Sequence, residues 1–210
     1  MESFGKKGKK DGEFQKPVSV CLDDEGRVIV ANHRNDRVQV LSQDGKPLVK
    51  FKDKGPGKLS EPNACVYYGN KFIVCAKHNH WLKVDKSGTF LYKIEKQDKD
   101  NGQLFYLRGL CIQKCGNHHN LLVGNVGNHR VDQFTVEGCF TGKTLDKLQY
   151  PTGITETPDR LILVTDTETN TIHILKLLIS IIVANQTNAN PGITRKKRKR
   201  ELSMVEGISE

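Results

Sequence analysis

ANHRNDRVQVL, residues 31–41, and GNVGNHRVDQF, residues 124–134, superimpose without a gap: Asn32 on Asn125, Arg37 on Arg130, Val38 on Val131. Seen once, Asn128-His129-Arg130 beside Asn125 has the ingredients of a catalytic or anion-binding cluster. Seen twice, it is a structural signature, because a reactive constellation has no reason to recur. Two weaker copies keep the frame: CAKHNHWLKVD (75–85) and TDTETNTIHIL (165–175) put Trp81-Leu82 and Thr171-Ile172 in the Arg-Val positions. The copies start at 31, 75, 124 and 165, so the spacings are 44, 49 and 41 residues, within the range of a repeat architecture.

The flanks repeat too. Ahead of each copy stand a turn and a short apolar run: KPVSVCLD, EPNACVYY, LRGLCIQK and YPTGITET. After the first three come a Gly turn and a run with aromatic or β-branched residues: QDGKPLVKF, KSGTFLYKI and VEGCFTGKT. Each period thus holds four strand-like runs bounded by Gly, Asp-Gly or Pro, and no segment has a useful 3.6-residue amphipathic pattern. Four-stranded antiparallel units of about 40–45 residues are β-propeller blades. The expected fold is all-β, a β-propeller with about four blades over residues 12–54, 55–97, 101–144 and 145–176. Residues 177–210 are expected to be a divergent apolar segment followed by a basic, disordered tail. The opening SFGKKGKKDGEFQKP matches the joint between two blades (compare FKDKGPGKLSEP), which predicts a partial ring cut from a longer array.

Residues 4 to about 176 resemble the NHL repeat: Pro-x-Gly-apolar, an apolar pair, Ala-Asp-x-x-Asn-x-Arg-Val-x-Val-Phe, Gly, and a closing aromatic strand. The resemblance implies a domain like the C-terminal propeller of tripartite-motif proteins, where such modules recognise ubiquitin-ligase substrates or bind RNA. In that family an Asp at the start of the motif and an Arg five residues later tie the blade together. This chain has Asn32/Arg37, Asn125/Arg130, Asp166/Thr171 and Ala76/Trp81 instead. An Asn can accept one bond from a guanidinium but offers no charge-assisted fork. Looser blades than the family norm are expected, with Asn32, Arg37, Asn125, Arg130 and Asp166 as internal struts.

A chain of 210 residues can bury one sizeable core or two small ones. No apolar run follows the basic N-terminus, and the longest, Leu175 to Ala184, is about half of the roughly 20 residues a membrane span needs. An intracellular, cytoplasmic protein with its cysteines free is expected. The formal charge of +9 sits mostly at the two ends, in Lys6, Lys7, Lys9 and Lys10 and in the run Arg195, Lys196, Lys197, Arg198, Lys199 and Arg200. That last run fits a nuclear-localisation or nucleic-acid patch, and equally a solvated end.

In a meander blade the connections between blades and the central hairpin loops emerge on one face. Connections between blades bring Lys9, Lys10, Lys58, Tyr106 and Arg108 there, and hairpin loops bring Arg34, Lys77 and His78. A basic face with an aromatic among the cations can hold phosphates and stack unpaired bases, and would equally attract an acidic protein. The opposite face collects Asp23, Asp24, Asp44, Asp85 and Asp159. Cys111, Cys115, His118 and His119 lie close in sequence but lack the spacing usual for structural zinc, so no metal is expected. His118 and His119 are expected in a turn. There is no Gly-rich phosphate loop, HExxH or GxSxG, and no RING or B-box zinc motif. The expected function is therefore a non-catalytic module that recognises a protein partner in a ubiquitin-ligase setting, the alternative being RNA binding through the basic face. No cofactor, membrane or small-molecule substrate is expected.

Overall fold

The computed structural model describes residues 3–51, 59–76, 80–95 and 103–175. Lys58, Lys77, His78, the run Arg195–Arg200 and the expected tail over 177–210 lie outside the described residues.

A short parallel pair, β1 (Lys6–Lys7) and β2 (Glu13–Phe14), precedes the blades. Blade one is β3 (Pro17–Leu22), β4 (Val28–Asn32), β5 (Arg37–Leu41) and β6 (Pro47–Phe51). Blade two is β7 (Pro62–Tyr68), β8 (Lys71–Ala76), β9 (His80–Asp85) and β10 (Phe90–Glu95). Blade three is β11 (Leu107–Cys115), β12 (His118–Asn125), β13 (Arg130–Thr135) and β14 (Phe140–Leu145). Blade four has β15 (Pro151–Glu156), β16 (Ile162–Asp166) and β17 (Thr171–Leu175) among the described residues. Every pairing within a blade is antiparallel, in sequence order. The arrangement is a four-blade β-propeller arc.

Proline opens β3, β7 and β15, a position at which a strand needs no donated N–H. All four first strands slip register just after this start, at Pro17/Ser19, Pro62/Ala64, Leu107/Leu110 and Pro151/Gly153. The recurring bulge turns each first strand as it enters the blade. These strands pack beside one another in the order β3, β7, β11, β15. Gly109 marks how closely they approach, since a Cβ there would lie 2.4 Å from the carbonyl oxygen of Thr152. The strand pair β4–β5 is joined by a 3-10 turn over His33–Asn35, and β12–β13 by one over Val126–Asn128. Each ends on a left-handed residue, Asp36 or His129. His129 therefore serves the turn. His118 and His119, expected in a turn, open strand β12, because the reversal is made by Gly116 and Asn117.

The core is made between blades. Ile29, Ala31, Val38 and Val40 of blade one bury against Cys65, Phe72 and Val74 of blade two, with Phe51 stacked on Phe72 at 5.8 Å. Ile73 and Cys75 pack in the same way on Leu110, Leu121 and Val123 of blade three. Each fully buried aliphatic or aromatic side chain contributes about 1.5–3 kcal/mol, so blades hold each other more than they hold themselves. At the outer blades the corresponding positions have no neighbouring blade among the described residues. Val20 and Leu22 on β3, and Ile172 and Ile174 on β17, are exposed.

Candidate partner-binding face

The repeat residues position the face. Asn32 Oδ1 accepts the amide of Gln15 at 2.8 Å, and Asn125 Oδ1 accepts that of Phe105 at 2.8 Å. Asp166 takes the amides of Gln149 and Tyr150 at 2.6 and 2.9 Å. In blades one, three and four the equivalent side chain thus ties the incoming connection two residues ahead of the first strand, whereas blade two has Ala76 at that position. Burial works against the Asp166 carboxylate, but these backbone donors outweigh it and hold its pKa below the ordinary value.

The arginines act differently from the expected Asn–Arg bond. The Arg37 guanidinium is buried and donates to the carbonyls of Lys9, Lys10 and Glu13 at 2.8, 2.6 and 2.7 Å. Asn32 and Gln39 also donate to the Glu13 carbonyl, each at 3.0 Å. Lys9 and Lys10 are exposed, yet their backbone is a strap locked onto blade one. In blade three Arg130 finds a carboxylate that the sequence reading missed. Its Nε lies 2.8 Å from Oδ1 of buried Asp132, whose Oδ2 accepts Asn125 Nδ2 at 2.6 Å. The expectation of looser blades rested on an Asn–Arg contact that neither blade uses.

On the face itself, Lys16, Glu61, Tyr106 and Tyr150 are equivalent residues, each immediately ahead of a first strand. Lys16, Glu61 and Tyr106 are left-handed, with φ of 53°, 46° and 55°. Non-glycine residues seldom adopt this conformation, and here it recurs where each connection turns into the strand. Arg108 places its guanidinium over the Tyr106 ring, 5.1 Å from the centroid, and donates to the Tyr106 hydroxyl at 2.6 Å. Tyr150 meets Tyr106 edge-on at 6.2 Å. Lys16 and Arg34 are exposed nearby, each in a connection bonded to the other: the amide of His33 donates to Lys16 O and that of Arg34 to Gln15 O. Arg34, Tyr106 and Arg108 share this face with Lys16, His33 and Glu61, all six on the face where the sequence places them, and Tyr150 is the addition.

His33 is buried between blades one and two, with Nδ1 at 3.3 Å from Pro62 O and Nε2 at 3.8 Å from the Glu61 carboxylate. Burial lowers its pKa, Lys16 and Arg108 add to the lowering, and Pro62 and Glu61 oppose it. The folded state favours neutral imidazole, whereas the unfolded chain takes up a proton as pH falls through about 6.5. The His33 contribution is therefore complete above that pH and is lost as pH falls toward the lower folded pKa. The urea midpoint should drop between pH 7.5 and 5.5, and His33→Gln should show a smaller drop.

On the opposite face Asp24 joins two blades, accepting Tyr67 Oη and Lys86 Nζ, each at 2.7 Å. Among the described residues no three His, Cys, Asp or Glu side chains converge as a metal site. The His119 ring lies tilted against Tyr68 at 4.8 Å and is hydrogen-bonded to its hydroxyl at 3.2 Å. Among the described residues no helix is long and apolar enough to cross a membrane.

The NHL repeat family model matches residues 14–41, from β2 to the end of β5. Protein lin-41 of Caenorhabditis elegans is 48% identical over 48 residues, 23% of this chain and 4% of lin-41. The E3 ubiquitin-protein ligase TRIM71 of Xenopus tropicalis is 44% identical over 52 residues, 25% of this chain and 6% of TRIM71. The matches therefore span a small part of each relative's length. A streptogramin B lyase structure superimposes with a TM-score of 0.63 at 18% identity, over 83% of this chain and 55% of the lyase chain. That likeness concerns the fold alone. The chain carries an NHL repeat over residues 14–41 on a propeller arc, in accord with its resemblance to the tripartite-motif NHL proteins.

Proposed function

Taking the chain as an NHL-repeat propeller, we propose that it is a non-catalytic recognition module that binds an acidic segment of a protein partner. The face carrying Lys16, Arg34 and Arg108 is the binding surface. The observation that carries this reading is the Arg108 guanidinium held in place by Tyr106. A guanidinium fixed in this way loses little entropy on gripping a carboxylate, and its planar fork suits that acceptor. Tyr106 and Tyr150 supply the aromatic surface that recurs at interface hot spots. The similarity to TRIM71 supports a role in presenting substrates to a ubiquitin ligase, with the transfer chemistry supplied outside this module. A cytoplasmic setting, with nuclear entry through the Arg195–Arg200 run, fits such a role.

The test is an array of acid-rich and acid-free peptides probed with the chain at low and physiological salt. Acid-rich peptides should be retained, and Arg34→Glu with Arg108→Glu should weaken them at least tenfold at unchanged thermal stability. Retention indifferent to both charge and variant would refute the reading.

A second reading, RNA binding, is favoured by the same planar guanidinium lying beside two tyrosines and exposed cations, which suits unpaired bases. It predicts filter retention of single-stranded RNA that weakens steeply with salt and disappears in the double variant. Absence of RNA retention at physiological salt ends this reading.

A further inference from the structure

Cys21 and Cys65 belong to different blades, on the adjacent first strands β3 and β7. Their sulfurs are 3.8 Å apart, with the Cys21 thiol donating to Cys65 Sγ. Ser19 Oγ lies 3.8 Å from the same sulfur and accepts the Cys65 amide at 3.2 Å. Cys65 is buried, whereas Cys21 is half-buried at the edge of the inter-blade core. The partial exposure of Cys21 itself is the side from which a small oxidant approaches the sulfur pair.

We propose that Cys21 and Cys65 are a modification site at which a peroxide closes a disulfide between blades one and two. The sulfurs must approach from 3.8 Å to about 2.05 Å, a movement within the range of side-chain rotation and a small blade adjustment. Burial alone would hold Cys65 inert, but the hydrogen bond from Cys21, with help from Ser19, favours its thiolate. The same bond, with burial, keeps the proton on Cys21.

The chemistry balances with hydrogen peroxide as oxidant. The Cys65 thiolate attacks one peroxide oxygen, forming an S–O bond as the O–O bond breaks. The departing hydroxide takes the Cys21 proton and leaves as water. The Cys21 thiolate then attacks Cys65 Sγ, forming the S–S bond and expelling hydroxide, which is protonated by solvent. In sum, two thiols and one hydrogen peroxide give one disulfide and two waters. The bond encloses β4, β5 and β6 of blade one in a covalent loop. It should raise the thermal midpoint by roughly 5 °C or more, because a loop of this length strongly restricts the unfolded chain.

The test treats the folded chain with equimolar hydrogen peroxide, blocks free thiols with iodoacetamide, and maps peptides without reduction. A Cys21–Cys65 pair lighter by two hydrogens should be the dominant cross-link and should revert with dithiothreitol. The exposed Cys139 should be recovered mainly alkylated. Cys21→Ser and Cys65→Ser should each abolish the cross-link and the thermal shift while keeping the β-sheet circular dichroism. If both cysteines are recovered alkylated, or cross-links scatter among all six cysteines as in a parallel control unfolded in urea, the proposal is overturned.

Discussion

Replacing Arg37 by methionine will lower the midpoint of thermal unfolding by roughly 6–12 °C. Arg37 is 2% exposed, and its guanidinium satisfies three carbonyls of the strap over Lys9–Glu13. Methionine fills much of the volume, so the loss falls mainly on those acceptors. Hydrogen bonds from a charged donor contribute about 1.5–3 kcal/mol each, and non-additivity reduces the total to about 3 kcal/mol. For a chain of this size, about 1 kcal/mol corresponds to roughly 2–4 °C. Burial lowers the Arg37 pKa, with Asp11 and Glu13 opposing, so the charge is costly to hold and the carbonyls are what justify it. Arg37→Lys should lose nearly as much, because an ammonium cannot span three carbonyls from that stem. Trypsin should also cut faster after Lys9 and Lys10 in both variants. A calorimetric shift below about 2 °C would show that the strap is dispensable.

Asp132→Ala should be the most damaging single change in blade three, costing about 3–5 kcal/mol by leaving the buried Arg130 without its carboxylate. The asymmetry within the pair is informative. Burial raises the Asp132 pKa, while Asn125 and Arg130 pull it down without cancelling the rise. A raised folded pKa means that the stabilising contribution of the protonated acid is full below the unfolded value of 3.8 and is lost as pH rises through the folded value. Arg130→Met leaves a carboxylate that can neutralise itself by taking up a proton, so its destabilisation should shrink as pH falls from 7 toward 4. Asp132→Ala lacks the titrating group, so its cost should grow rather than shrink as pH falls over that range. Urea unfolding of both variants at several pH values separates the two behaviours. Parallel pH profiles would contradict the buried pair.

The blades were legible because a strand hairpin that buries both faces between neighbours needs the same residue types each time. Two strong copies of the Asn-to-Arg segment were enough to set the spacing. What the arginines bind was not legible. The acceptors of Arg37 are backbone carbonyls, which leave no trace in side-chain identity. Asp132 could have been found, since it stands two residues after Arg130 in a strand and so shares its face. An acid on a buried strand face must have a partner. Tyr150 was overlooked for a similar reason, although Lys16, Glu61, Tyr106 and Tyr150 align once the first strands are placed. The Cys21–Cys65 meeting depends on the register between strands of different blades, and no local pattern encodes that.

Hydrogen–deuterium exchange of the chain, with and without the acid-rich peptide it retains best, tests the recognition face most directly. Protection should fall on residues 15–17, 33–36, 103–108 and 147–151, where Lys16, Arg34, Arg108 and Tyr150 reside. The turns at 23–27, 42–46, 135–139 and 157–161, on the opposite face, should exchange as they do in the free chain. Protection of those turns, with the first set unchanged, would contradict the account.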